Sequence, residues 1–131
     1  MPLRTRPIAL FILALCFLVK LNASVLTWDG KGRISMEIIE GRQKKVKVGF
    51  PFKNGSDHPV TITSVKTDCE CVTAGVSEKT CPAGRKAQVI VLFDVAGLTG
   101  LQEKYVTVMT DEPNQPPTRL LLRVNIKKQT Q

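Results

Sequence analysis

The sequence predicts an all-β fold: an antiparallel β-sandwich of about seven strands behind an N-terminal signal peptide helix. Three observations predict it. Apolar residues alternate with polar ones at period two along several stretches. Glycine, proline, asparagine and aspartate cluster between those stretches, where turns need them. Helical spacing is nowhere sustained outside the leader.

Taken in order, the chain opens with Arg4 and Arg6 and then an unbroken apolar run over residues 8–19, closed by Lys20. The run suits the core of a signal peptide and is too short to cross a bilayer. Leu21-Asn22-Ala23 supplies a small residue, so cleavage is expected after Ala23, leaving residues 1–23 as leader and residues 24–131 as one exported domain. An uncleaved membrane anchor and a buried N-terminal helix are the competing readings. A lipoprotein site at Cys16 is disfavoured because Leu15, just before it, is not small.

A weak strand pattern follows at Ile34, Met36 and Ile38. Residues 45–52 alternate strictly, with Val46, Val48, Phe50 and Phe52 on one face and Lys45, Lys47, Gly49 and Pro51 on the other. Pro51 has no N–H for a ladder, so this strand belongs at a sheet edge or ends near one. Residues 59–65 and 105–110 are rich in β-branched side chains. Residues 87–95 are more continuously apolar, as a central strand would be, and residues 119–126 alternate again. Turns are expected at Asp29-Gly30, Gly41, residues 54–57, Pro82-Ala83-Gly84, and residues 97–100 and 111–117. Residues 127–131 read as a frayed tail. A small barrel is the alternative architecture.

The formal charge of +8 falls to +5 once a leader carrying Arg4, Arg6 and Lys20 and no acid is removed. The remaining cations are scattered, and only 5% of residues are aromatic. Nucleic-acid binding wants a coherent basic stripe with stacking partners, so it is not expected. The membrane enters only through an uncleaved leader.

Together these residues resemble a known family. Phe50-x-Phe52-x-Asn54-Gly55 is followed by Pro59-Val60-x-Ile62, then Cys69-x-Cys71, Pro82-Ala83-Gly84, Val89-Ile90-Val91-x-Phe93, Gly100 and Val106-x-Val108-x-Thr110-Asp111, with Trp28 upstream. The pattern resembles the bacterial domain-of-unknown-function 1573 family over about residues 25–126. The resemblance implies an immunoglobulin-like sandwich of an exported envelope or periplasmic protein, with no assigned reaction. Glu70 stands where the family typically has glycine, and Cys81 is an addition to the pattern.

The chemistry-bearing residues are few. Cys69, Cys71 and Cys81 follow the leader, and an odd number of cysteines in an exported chain leaves one over. Pairing either of the first two with Cys81 closes a loop of about a dozen residues and stabilises by roughly 3 kcal/mol on a chain-entropy argument. A Cys69–Cys71 bond lies near the upper limit of Cα separation on a regular strand. Three sulfur ligands also suit Cu(I) or Zn(II), although a closed zinc site wants a fourth ligand and no histidine is near. Thiol–disulfide exchange is a further reading, without the usual two-residue spacing or helix N-terminus.

His58, the one histidine, lies in the turn Ser56-Asp57-His58-Pro59, where neighbours in sequence do not form a catalytic relay. Asp94, Asp111 and Glu112 stand at strand ends without a pattern of paired acids. Asn54-Gly55-Ser56 matches a glycosylation acceptor and reads more simply as a turn. Trp28 is expected to plug one end of the core. The expected function is therefore non-catalytic: a structural envelope module or one binding a protein partner, with residues 46–52 as its edge strand and no cofactor. The alternative is a periplasmic thiol protein working through Cys69, Cys71 and Cys81.

Overall fold

The computed structural model describes residues 24–131. The expected leader and its expected cleavage point, residues 1–23, lie outside the described residues. Nine strands follow: β1 (Leu26–Trp28), β2 (Arg33–Ile39), β3 (Lys45–Asn54), β4 (Val60–Thr67), β5 (Val72–Val76), β6 (Thr80–Cys81), β7 (Lys86–Asp94), β8 (Gly100–Thr110) and β9 (Thr118–Lys127). They form two sheets, ordered β1-β3-β7-β5 and β2-β9-β8-β4-β6. The architecture is the expected sandwich, not a barrel.

The strand count exceeds the expectation because β1, β5 and β6 are too short to show a period. β6 has two residues and β1 three. β8 also starts earlier than its β-branched run suggests, because residues 101–104 extend it with largely polar side chains.

The pairings are antiparallel except β2 beside β9, which is parallel. The cause lies just upstream. β1 pairs with β3 in the first sheet, and the chain then turns through Asp29–Gly32 with positive φ at Gly30 (59°), Lys31 (56°) and Gly32 (71°). This left-handed run costs a non-glycine residue steric strain, which only Lys31 bears. It hands the chain to the second sheet, where β2 runs alongside β9. Gly32 is held twice over: its φ favours glycine, and an added Cβ would lie 2.9 Å from Leu120 Cδ2.

Another crossover, further along, runs from the second sheet to the first. β4 leaves the second sheet at Thr67, and residues 68–71 carry the chain into the first sheet as β5. Between the sheets lies one cluster drawn from alternating positions: Val46, Phe50 and Phe52 on β3; Val89, Val91 and Phe93 on β7; Val106 and Val108 on β8; Leu120, Leu122, Val124 and Ile126 on β9. Truncating a leucine such as Leu122 to alanine there costs about 2–5 kcal/mol.

Candidate functional site

The early departure of the chain at Asp29 shapes the flank of β3. β1 pairs only with Phe52, Lys53 and Asn54. On its other side β3 pairs with β7 along its length, from Lys45 opposite Asp94 to Lys53 opposite Lys86. The Asn54 N–H donates to the Arg85 carbonyl (2.9 Å) and the Val95 N–H to the Lys44 carbonyl (2.9 Å). In that register the even-numbered residues of β3 bond to β7, and Lys45, Lys47, Gly49 and Pro51 turn their backbone groups outward. Among the described residues nothing else pairs with that flank, so residues 45–51 form an uncovered edge. Pro51 falls on an outward position, where its missing N–H leaves the β7 ladder intact.

The strand expected at an edge is at one, but its apolar side chains do not form the exposed surface. Val46, Phe50 and Phe52 are buried, and Val48 is half-buried against the core. The edge offers backbone groups, flanked by the exposed Lys45 and Lys47. At Gly49 the Gln88 amide lies across the strand, and an added Cβ would overlap its oxygen.

The cysteines divide differently from the two main expectations. Cys69 and Cys71 are bonded to each other, with Cα atoms 5.1 Å apart, and Cys81 is free and buried. The three sulfurs do not assemble. Cys81 is opposite Val60 at the start of β4, whereas the disulfide follows Thr67 at its end, roughly 23 Å along a strand that rises about 3.3 Å per residue. Neither a bond to Cys81 nor a three-sulfur metal site is formed, and no group of three metal-ligating side chains occurs among the described residues. Burial pushes the Cys81 thiol up from its ordinary pKa, against the backbone hydrogen bonding near Asn54. Its S–H donates to the Arg85 carbonyl at 3.4 Å.

The disulfide sits in the crossover between the sheets, and much else holds that crossover. The Val72 N–H donates to the Cys69 carbonyl (3.1 Å), and the Asp94 N–H to the Cys71 carbonyl (2.8 Å). The Thr67 hydroxyl lies 3.2 Å from the carbonyls of Cys69 and Val72. A bond spanning one intervening residue removes little unfolded-chain entropy, roughly 1.5 kcal/mol. Both half-cystines are half-buried, and the Cys71 N–H donates to Cys69 Sγ at 3.2 Å. A recess of about 200 Å³ beside them is lined by Lys45, Glu70, Cys71, Thr73, Leu92 and Asp94.

The other end of the sandwich is organised by Asn54, a buried residue that composition alone does not mark out. Its Nδ2 donates to the carbonyls of His58 (2.8 Å) and Cys81 (2.9 Å). Its Oδ1 accepts from the Ser56 N–H (3.0 Å) and hydroxyl (2.6 Å). An amide so engaged, with no exposed surface, is not a glycosylation acceptor. His58 joins two loops, with Nδ1 against Asp57 (2.9 Å) and Nε2 against Glu112. The Asp57 hydrogen bond first, then Glu112, raises the histidine pKa above its ordinary 6.5. Asp94 and Asp111 accept the N–H groups of Ala96 (3.1 Å) and Thr61 (2.9 Å), which are turn-fixing roles. Trp28 packs against Phe52, ring centroids 4.9 Å apart, as the expected plug of the core.

A family described as "Protein of unknown function (DUF1573)" matches residues 26–126. Comparison with curated protein sequences gives no match. Among solved structures, the chain is similar to a protein of unknown function from Porphyromonas gingivalis (TM-score 0.63, 14% identity, 78% of this chain and 46% of that one). It is similar to a PapD-like domain of human CEP192 (TM-score 0.52, 8% identity, 81% of this chain and 87% of that one). It is also similar to the Pseudomonas aeruginosa CupB2 chaperone (TM-score 0.51, 13% identity, 76% of this chain and 55% of that one). The chain thus spans about half the length of the Porphyromonas protein and of the chaperone. At these identities the likeness concerns the fold, an immunoglobulin-type sandwich.

Proposed function

The chain belongs to the DUF1573 family, and from that premise we propose that it is an exported, non-catalytic envelope module that binds a protein partner by accepting an extended segment along β3. The observation that carries this reading is the uncovered edge at residues 45–51, whose odd-numbered backbone groups face away from β7. Strand addition to such an edge draws its affinity from main-chain hydrogen bonds, while the flanking side chains select the partner. Lys45 and Lys47 favour an acidic segment and guard the edge against self-pairing. The likeness to a chaperone supports a protein-binding role at the level of fold.

The test is site-specific photo-crosslinking in the native host. A crosslinker at Lys47 is expected to capture a discrete partner, one at Lys66 on β4 is not, and an added Gly49→Pro change is expected to abolish capture. Capture that ignores the proline, or equal capture at both sites, overturns the edge reading. Export is tested separately by the mass of the protein from the envelope fraction, expected to begin at Ser24; a mass retaining residues 1–23 refutes cleavage.

A further inference from the structure

We propose that the Cys69–Cys71 disulfide is a thiol-exchange site, attacked at Cys71 and accepting two electrons from a dithiol that carries positive charge near its sulfur. This goes beyond strand binding and concerns the crossover beside the start of β3, whose Lys45 also lines the recess. Three observations on the crossover support it.

The first is access. A thiolate attacks a disulfide in line with the bond it breaks, so the attacked sulfur must be approached from the side away from its partner. The recess beside the crossover is lined by Cys71 and not by Cys69. The second is the leaving group. The Cys71 N–H donates to Cys69 Sγ at 3.2 Å, and a hydrogen bond to sulfur stabilises the thiolate released when Cys71 is attacked. Both features select the same sulfur. The third is independence from the fold. The carbonyls of Cys69 and Cys71 are held by the N–H groups of Val72 and Asp94, bonds that do not involve the disulfide. Cys81, buried at the far end of β4, is not placed to compete as a resolving thiol.

The step balances as follows. A thiolate of the incoming dithiol bonds to Cys71 Sγ, the Cys69–Cys71 bond breaks, and its electron pair leaves on Cys69 Sγ, which takes up a proton. The dithiol's second thiolate then attacks its own first sulfur and displaces Cys71, which is protonated in turn. The dithiol loses two hydrogens and becomes a disulfide; Cys69 and Cys71 each gain one. The charge preference follows from the lining, where Glu70 and Asp94 outnumber Lys45.

The test treats the folded, full-length protein with cysteamine or mercaptoethanesulfonate at one pH, quenches with acid and maps the mixed disulfide by peptide mass. The adduct is expected on Cys71. Cysteamine is expected to react about three-fold faster than the sulfonate at low ionic strength beyond their intrinsic difference, an excess that 1 M salt removes. Glu70→Gln with Asp94→Asn is expected to erase the same excess. Dithiothreitol is expected to reduce the pair fully and reversibly with the far-ultraviolet circular dichroism unchanged. An adduct on Cys69, reaction only in denaturant, or loss of the fold on reduction each overturns the proposal. A Cys69→Ser, Cys71→Ser double variant provides the independent check: if it does not fold, the bond is structural and the proposal fails.

Discussion

Asn54 uses its side-chain amide entirely inside the fold, and its removal leaves the Cys81 carbonyl without that donor and the His58 carbonyl with the Ser56 hydroxyl. Asn54→Ala is expected to lower stability by about 3 kcal/mol and the melting temperature by roughly 10–20 °C, measured by thermal denaturation. The sequence marks this position only as the start of a turn. Its partners stand 4 and 27 residues away, and a local pattern carries no information about the second. His58 was legible as a turn residue, but its bond to Glu112 joins loops 54 residues apart. Because the folded pKa lies above 6.5, with Asp57 the main cause, the ion pairs stabilise fully below pH 6.5 and lose their contribution as pH rises through the folded value. The melting temperature is expected to drift downward as pH rises above 6.5, and His58→Gln is expected to flatten that drift; an unchanged slope in the variant refutes the assignment.

At the scale of the element, β3 offers a test in which adjacent residues answer oppositely. The Lys47 N–H faces outward and the Val48 N–H faces β7. Lys47→Pro is therefore expected to preserve the fold, with a melting temperature within a few degrees of the parent. Val48→Pro removes a ladder bond opposite Val91 and is expected to cost about 3 kcal/mol or more. Similar losses in both would mean that the register is wrong. The long strands were readable because one face of each is buried: β3 and β9 alternate in sequence as they do in burial. β1, β5 and β6 were not, since two to five residues do not establish a period. The parallel pairing of β2 was hidden for a different reason. It depends on three successive positive-φ residues, of which the sequence displays only Gly30 and Gly32 as permissive.

Across the whole molecule, the sulfur chemistry was legible as a set of options and not as a choice, because β4 decides which cysteines meet by holding Cys81 at one end and the disulfide at the other. Burial of Cys81 makes it a reporter of opening. Its alkylation in the native protein is expected to be slower than in denaturant by at least about 10³-fold, in line with the stability of a small domain; comparable rates would mean that β6 opens locally. The parallel pair has a mechanical consequence. The chain enters β2 at Arg33, beside Leu121, and leaves β9 at Lys127, beside Ile39. Once β1 is drawn off β3, tension pulling residues 24 and 131 apart draws the two strands lengthwise past each other and loads their hydrogen bonds together, not one after another. A module tethered at both ends would resist stretching in that direction more than its equilibrium stability alone suggests, because forced unfolding follows the unfolding rate.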